Sequence, residues 1–244
     1  MDIKEEDILG PAIATHWYYV TKGEMVRRHL KGLARLDWPV PGLLDVGAGS
    51  GVFSRQMLEA GLAQRAVCID PEYAEESDEL HGGRPLAFRR TPDAAAPLVL
   101  MMDVLEHVDD DTGLVRAYFD GAPSGTVLLV TVPAFEFLWS GHDVFLEHRR
   151  RYTRAGLTAA LTEAGLEVVS CRYFFGLLFP VAAAIRLIDR LKQAARATEP
   201  KSAMRPAPGW LNAVLTAVHR LEMRTLFPVN RIAGLTVTAV AVKP

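Results

Sequence analysis

Residues 43–51 read Leu-Leu-Asp-Val-Gly-Ala-Gly-Ser-Gly, an apolar run that ends in an acid and then places glycine at every second position. Leu43, Leu44 and Val46 suit a strand buried on both faces, the setting of a parallel sheet covered by helices. Gly47, Gly49 and Gly51 carry no side chain to keep a ligand from the backbone. A helix starting beyond them would aim free N–H groups at that ligand. A strand, a glycine turn and a helix in this order predict an α/β chain with a nucleotide-sized cradle.

The remaining pattern extends that unit. A helix is predicted from about Val52 to Ala60, closed by Gly61, and a second strand over Arg65–Asp70. A weakly marked third strand falls at Leu86–Phe88, a fourth at Leu98–Met102 and a fifth at Thr126–Val132, stopped by Pro133. A helix is predicted to start near Asp103, and another spans about Gly113 to Phe119. Thr153 reads as the cap of a helix running to Ala164, with Gly165 as its stop. Leu166–Cys171 and Leu235–Val242 make a sixth and a seventh strand. Between those two lie about 60 residues, too many for a plain loop. Helical patterns at Phe174–Arg196 and Trp210–Leu226, split by Pro200, Pro206 and Pro208, fill that stretch, and a further helix is predicted at Lys22–Leu36.

The 244 residues, 50% of them hydrophobic, are expected to form one domain: an N-terminal helical lid (1–40), a cofactor-binding core (41–172), a helical insertion capping the acceptor (173–233) and a final strand (234–244). A net charge of -2 points to no nucleic-acid partner. Charge is uneven, however: Arg186 to Arg231 holds nine Lys or Arg against three acids. Cys68 and Cys171, far apart, read as small buried hydrophobes. The opening Met-Asp-Ile-Lys-Glu-Glu-Asp is no signal peptide, and the uncharged run Tyr173–Ile185 is too short to span a bilayer, so the expected compartment is the cytoplasm.

Asp70 ends the second strand, where a carboxylate can accept hydrogen bonds from both hydroxyls of a ribose. A dinucleotide fingerprint has the form Gly-x-Gly-x-x-Gly, whereas this chain has Gly-x-Gly-x-Gly. A nicotinamide-dependent oxidoreductase is therefore the lesser alternative to a protein that binds a mononucleoside cofactor.

Asp-Val-Gly-Ala-Gly-Ser-Gly, Cys-Ile-Asp-Pro, Met-Asp-Val-Leu-Glu-His-Val and Thr-Val-Pro resemble, in order and spacing, the successive motifs of class I S-adenosylmethionine-dependent methyltransferases. Trp139-Ser-Gly-His-Asp143 and His148-Arg-Arg-Arg-Tyr-Thr resemble a bacterial small-molecule subgroup of that superfamily. The resemblance implies a Rossmann-like, seven-stranded, mostly parallel sheet of order 3-2-1-4-5-7-6, helices on both faces and a helical insertion between the last two strands. It implies S-adenosyl-L-methionine as cofactor and S-adenosyl-L-homocysteine as product. Asp45, Gly47, Ala48, Gly49 and Gly51 would pass its methionine and ribose, Asp70 would take the ribose hydroxyls, Pro71 would lie beside adenine, and Met102 and Asp103 near the sulfonium. Trp17, with Tyr18 and Tyr19, would belong to a lid. The chain departs from the family after its third strand, where Phe88-Arg-Arg-Thr-Pro-Asp-Ala replaces the motif that meets the adenine amino group.

Methyl transfer is an in-line displacement at an activated carbon, so the protein has to align the nucleophile and remove its proton. His107, His142 and His148 are the candidate bases, with Asp143 placed to orient His142. Asp103, Glu106 and His107 fall at i, i+3 and i+4 and would share a helix face. They are similar to the Glu-x-x-Glu-His of ubiquinone-type O-methyltransferases, which implies a metal; capping by Asp103 is the plainer alternative. Arg149, Arg150, Arg151 and Arg154 would suit an anionic acceptor, or form a solvated face. The apolar run from Phe174, followed by Arg186, Arg190, Lys192 and Arg196, could cover an apolar acceptor, form a homodimer interface or touch a membrane peripherally. A catalytically silent, cofactor-binding subunit is the further alternative.

Overall fold

The computed structural model describes residues 5, 8–33, 35–91, 95–193, 202 and 204–244, with 189–193 described by backbone alone. Its centre is an eight-stranded sheet: β1 (Leu43–Val46), β2 (Ala66–Ile69), β3 (Ser77–His81), β4 (Arg84–Arg89), β5 (Leu98–Met102), β6 (Val127–Pro133), β7 (Glu167–Phe174) and β8 (Thr236–Val242). The spatial order is β3-β4-β2-β1-β5-β6-β8-β7. β1 pairs in parallel with β2 and β5, with Leu43 opposite both Ala66 and Leu98, and β8 runs antiparallel between β6 and β7. Without β3 this is the expected order.

The eighth strand is a correction. β3 is solvent-facing and polar, so it carries no apolar run; it forms a hairpin with β4 across Gly82 and Gly83, both at positive φ, the geometry a two-residue hairpin turn requires. His81-Gly-Gly-Arg84 was the readable signal.

Strand alternation divides the core in two. Leu43, Leu98, Leu100, Met102 and Leu129 face one side, where α1 (Trp17–Lys31), α2 (Val52–Glu59) and α7 (Gly209–Thr225) pack with Met25, Phe53, Met57 and Met223. Leu44, Val99, Met101, Leu128 and Val130 face the other, covered by Val115 and Phe119 of α3 (Asp111–Phe119) and Leu157 and Leu161 of α5 (Arg154–Glu163). Helices on both faces explain why β1, β5 and β8 are buried throughout. Cys68 and Cys171 are free and buried, as expected. Thr153 caps α5 by accepting from the Gly156 N–H.

Several helix boundaries differ from the sequence reading. The N-terminal helix starts at Trp17, not Lys22, because His16 caps it by accepting from the Tyr18 N–H, and it ends at Lys31. The predicted helix at Asp103 is only a 3-10 turn, Leu105–His107; Asp103 itself lies at φ 56, outside helical geometry, and Asp110 caps α3 instead.

The insertion between β7 and β8 is helical as expected, but Phe174 still belongs to β7, and its first helix, α6, spans Phe179–Gln193. α7 clamps α1: Asn212 accepts from the Trp17 N–H at 2.6 Å and donates to the Thr15 carbonyl at 2.8 Å, while Trp17 stacks on His219 with ring centroids 5.4 Å apart. Phe174 and Phe175 are core residues, whereas Val181, Ile185, Leu187 and Ile188 of α6 are exposed. Among the described residues no helix is long and apolar enough to cross a membrane.

Candidate active site

The glycine turn follows β1 as expected. Gly47, Gly49 and Gly51 have φ of 64°, 52° and 71°, left-handed values that strain other residues. A Cβ on Gly47 would sit 2.7 Å from Val104 Cγ2, so this glycine also lets the β1 turn approach the end of β5. The N–H groups of Gly47 and Ala48 both point to the Ile69 carbonyl, at 2.7 and 3.1 Å. Asp70 accepts from the Gly49 N–H at 3.1 Å and from the Glu72 N–H at 3.1 Å, which ties the turn to the end of β2 and Pro71. Asp45 accepts from Ser54 at 2.8 Å, and burial pushes its carboxyl up to about 6. Its other oxygen and the Ser50 hydroxyl are buried and unpartnered.

Beyond Val104 lies a cavity of about 160 Å³. Glu5, Trp17, Tyr18, Asp103, Glu106, His107, His142, His148, Arg151, Arg186 and Thr236 supply its polar and aromatic wall, with Pro133, Leu138, Leu146, Phe175, Ala182, Met204 and Leu235 completing it. Of the sequence-predicted residues, Trp17, Asp103, His107, His142 and His148 meet here. Gly47, Ala48, Gly49, Gly51, Asp45, Asp70, Pro71 and Met102 do not line it; they belong to the neighbouring turn and strand ends.

Hydrogen bonds to backbone carbonyls assemble the cavity from distant segments. The Arg149 N–H donates to the Glu106 carbonyl at 2.6 Å, the Tyr152 hydroxyl to the Leu105 carbonyl at 3.2 Å, and Arg150 to the Val108 carbonyl at 3.1 Å. His148 is thereby set beside His107, ring centroids 4.8 Å apart. Among the described residues, the four non-glycine ones at positive φ, Asp103, Phe135, Glu147 and Phe175, either line this cavity or adjoin the segments that do. Such strain persists where surrounding structure enforces it.

Asp143 does not orient His142. Its carboxylate accepts from His148 Nδ1 at 2.9 Å, from Arg151 at 2.7 and 3.0 Å, and from the Ser140 N–H and hydroxyl that box the start of α4 (Gly141–Phe145). Burial would raise this carboxyl, but the bonds from His148 and Arg151 outweigh it and hold it well below the usual carboxylate range. His142 instead lies 3.6 Å from Glu5. Burial, reinforced by neighbouring His148, depresses both His107 and His142 to about 4, so both imidazoles are neutral at pH 7.

Asp103 is not a helix cap, nor available as the first ligand of an Asp103–Glu106–His107 set. It forms an ion pair with the fully buried Lys22, and accepts from Tyr18 at 3.0 Å and Thr131 at 3.1 Å. Burial opposes its charge, but Lys22 and Tyr18 hold it below the usual range. Lys22 escaped the sequence reading; a lysine among Tyr19, Met25 and Val26, buried residues of the same helix, was the signal. Glu106 is fully buried with both carboxylate oxygens unpartnered, and burial together with Asp103 pushes it well above the normal range.

The arginine run is structural for the most part. Arg150 binds the backbone of Val108 and Asp109, Arg154 that of Cys171 and Arg231, and Arg149 lies 3.7 Å from Asp109. Only Arg151 of the four reaches the cavity, and its guanidinium is engaged by Asp143; the other cavity arginine, Arg186, comes from α6. At the suspected adenine edge, Arg90 binds the carbonyls of Tyr73 and Ala74, and Asp93 lies outside the described residues.

A sheet of this order with a glycine turn after β1 and an acid after β2 defines the Rossmann-like fold of class I methyltransferases. The chain belongs to the methyltransferase-domain family, whose model matches residues 23–171. It is 30% identical over 177 residues, 67% of this chain and 64% of the relative, to a Mycolicibacterium smegmatis protein named "probable S-adenosylmethionine-dependent methyltransferase". A ubiquinone biosynthesis O-methyltransferase of Xanthomonas oryzae is 34% identical over 97 residues, 34% of this chain and 39% of the relative. The chain thus spans less than two-thirds of the length of either curated relative. Among solved structures, the [4+2]-cyclase SpnF superposes with a TM-score of 0.52 at 17% identity, covering 90% of this chain and 80% of that one. A cyclase on this fold means that the reaction has to be argued from the site.

Proposed function

We propose that this protein transfers a methyl group from S-adenosylmethionine to an oxygen or nitrogen of a small acceptor with an apolar body and an anionic group. The observation that carries the reading is a histidine-lined cavity adjoining the glycine turn, with Val104, packed on Gly47, and Asp103 between them. Support at the turn itself comes from its unspent polar groups: the Asp45 and Ser50 side chains each keep a buried oxygen without a partner. Asp70 uses one lone pair on each oxygen for the Gly49 and Glu72 N–H groups, and the remaining pairs can accept from ribose hydroxyls. Pro71, Met102, Asp103 and Trp17 would complete the cofactor's surroundings.

When bound, S-adenosylmethionine supplies an electrophilic methyl carbon on a sulfonium. The chain then has to hold the acceptor's nucleophile in line and accept its proton. Three imidazoles wall the cavity, so the proton passes to this cluster. A space of about 160 Å³ admits roughly one ring, since engineered cavities of about 150 Å³ hold benzene. Leu138, Leu146 and Phe175 suit its apolar body, and the Arg186 guanidinium an anionic substituent. α1, clamped by α7, would serve as the lid.

Incubation with methyl-labelled S-adenosylmethionine and a fractionated small-molecule extract tests this. Label is expected in an aromatic or otherwise apolar acid, and to be lost in His148→Ala while S-adenosylhomocysteine still binds. Binding of the cofactor with no acceptor labelled in any fraction supports the silent subunit instead.

A further inference from the structure

The sequence grouped Asp103, Glu106 and His107 by helical spacing; the fold assembles a different trio. Glu106, His107 and His148 each present one nitrogen or oxygen such that all three atoms lie within 4.8 Å of one another. They come from two segments, the 3-10 turn after β5 and the stretch before Tyr152, joined by the Arg149-to-Glu106 backbone bond. Asp103 is taken by Lys22.

Two features mark this as more than a chance cluster. Glu106 is fully buried, lines the cavity and leaves both carboxylate oxygens without a partner, a costly arrangement unless a positive charge completes it. His148 donates Nδ1–H to Asp143 at 2.9 Å, so its ring is fixed through one nitrogen and has the other to offer an ion. An imidazole held in this way by a carboxylate or a carbonyl is the usual arrangement of a metal-ligating histidine.

We infer that Glu106, His107 and His148 bind a divalent transition ion of the zinc class, with open coordination positions toward the cavity. Two imidazoles and one carboxylate favour such an ion over magnesium or calcium, which prefer all-oxygen sites. The inference rests on the methyl-transfer reading and divides its histidines: His107 and His148 hold the ion, and His142 receives the proton. With the ion held there, the acceptor's hydroxyl would lie against it; the O–H bond breaks and the proton moves to the His142 ring, which lines the same cavity. The oxygen's electron pair then forms the bond to the methyl carbon as the C–S bond breaks, its electrons returning to sulfur to leave S-adenosylhomocysteine. A coordinated ion makes that proton far easier to remove, as it does for bound water.

The test is a titration of the chelator-stripped full chain with Co²⁺, read by visible absorption, and with Zn²⁺, read by calorimetry. S-adenosylhomocysteine binding is measured on each variant as a check of fold. One ion per chain is expected, with affinity lowered at least 10-fold in Glu106→Gln and in His148→Ala and changed less than 3-fold in Glu163→Gln, at the end of α5 and outside the cavity lining. No binding by the wild type, wild-type affinity in Glu106→Gln and His148→Ala, or a loss in Glu163→Gln as large as theirs would each overturn the assignment. Retained S-adenosylhomocysteine binding in that event separates the failure of the metal site from failure of the methyltransferase reading.

Discussion

The Asp143 carboxylate fixes His148 through Nδ1 at 2.9 Å and holds Arg151 through two bonds, with side-chain exposures of 0%, 6% and 8% for the three residues. A carboxylate cannot donate, so His148 Nδ1 carries the hydrogen and the opposite nitrogen is left for chemistry. Removing one member of a buried ion pair leaves the other uncompensated. Asp143→Ala is expected to cost about 3 kcal/mol of stability, and the conservative Asp143→Asn less, both read by urea denaturation. Cofactor affinity should stay within about 3-fold in Asp143→Asn, since its contacts are remote from the glycine turn.

Gly47 combines φ 64° with a Cβ position 2.7 Å from Val104. Gly47→Ala is therefore expected to destabilise by about 1–3 kcal/mol. S-adenosylhomocysteine affinity should fall at least 10-fold by calorimetry, while Gly83→Ala, in the distant β3–β4 hairpin, leaves that affinity unchanged.

How much of this was legible beforehand depends on the range of the interaction that fixes each element. The glycine turn, Asp70 and the strand order announce themselves locally, through apolar runs, turn residues and known motif spacing. β3 did not, because a polar edge strand has no buried face to impose a period. The site's residues were mostly named, but their pairings were not: Asp143 lies next to His142 in sequence and yet serves His148, because the α4 capping box turns its carboxylate away. Likewise, helical spacing grouped Asp103 with Glu106 until the backbone left helical geometry at Asp103. Lys22 meets Asp103 across 81 residues, a contact no local pattern encodes.

Glu106 makes a separate stability prediction. Its carboxyl is raised in the fold, so between the unfolded value and the folded one the native state holds a proton that the unfolded chain has released. Stability is therefore lost as pH rises through that window, and the cost is full above it. Glu106→Gln removes the cost, and in ion-free buffer should stabilise the protein by about 1–3 kcal/mol at pH 8 with no gain at pH 4. Equal denaturation midpoints at pH 8 would contradict it.

His107 and His142 act in the opposite sense. Both are depressed to about 4 from an unfolded 6.5, so on acidification the unfolded chain binds protons that the native state refuses. Stability is expected to fall between pH 6.5 and 4, by up to about 3 kcal/mol per histidine. His107→Gln combined with His142→Gln should flatten that part of the profile in thermal denaturation.

The central claim is that the glycine turn holds the methyl donor and Asp70 fixes that turn while accepting the ribose hydroxyls. Calorimetric titration with S-adenosylhomocysteine tests it most directly. One site per chain is expected, with affinity at least 10-fold weaker in Asp70→Ala and unaffected by NADH. No heat of binding for the wild type, or equal affinity in Asp70→Ala, would contradict it.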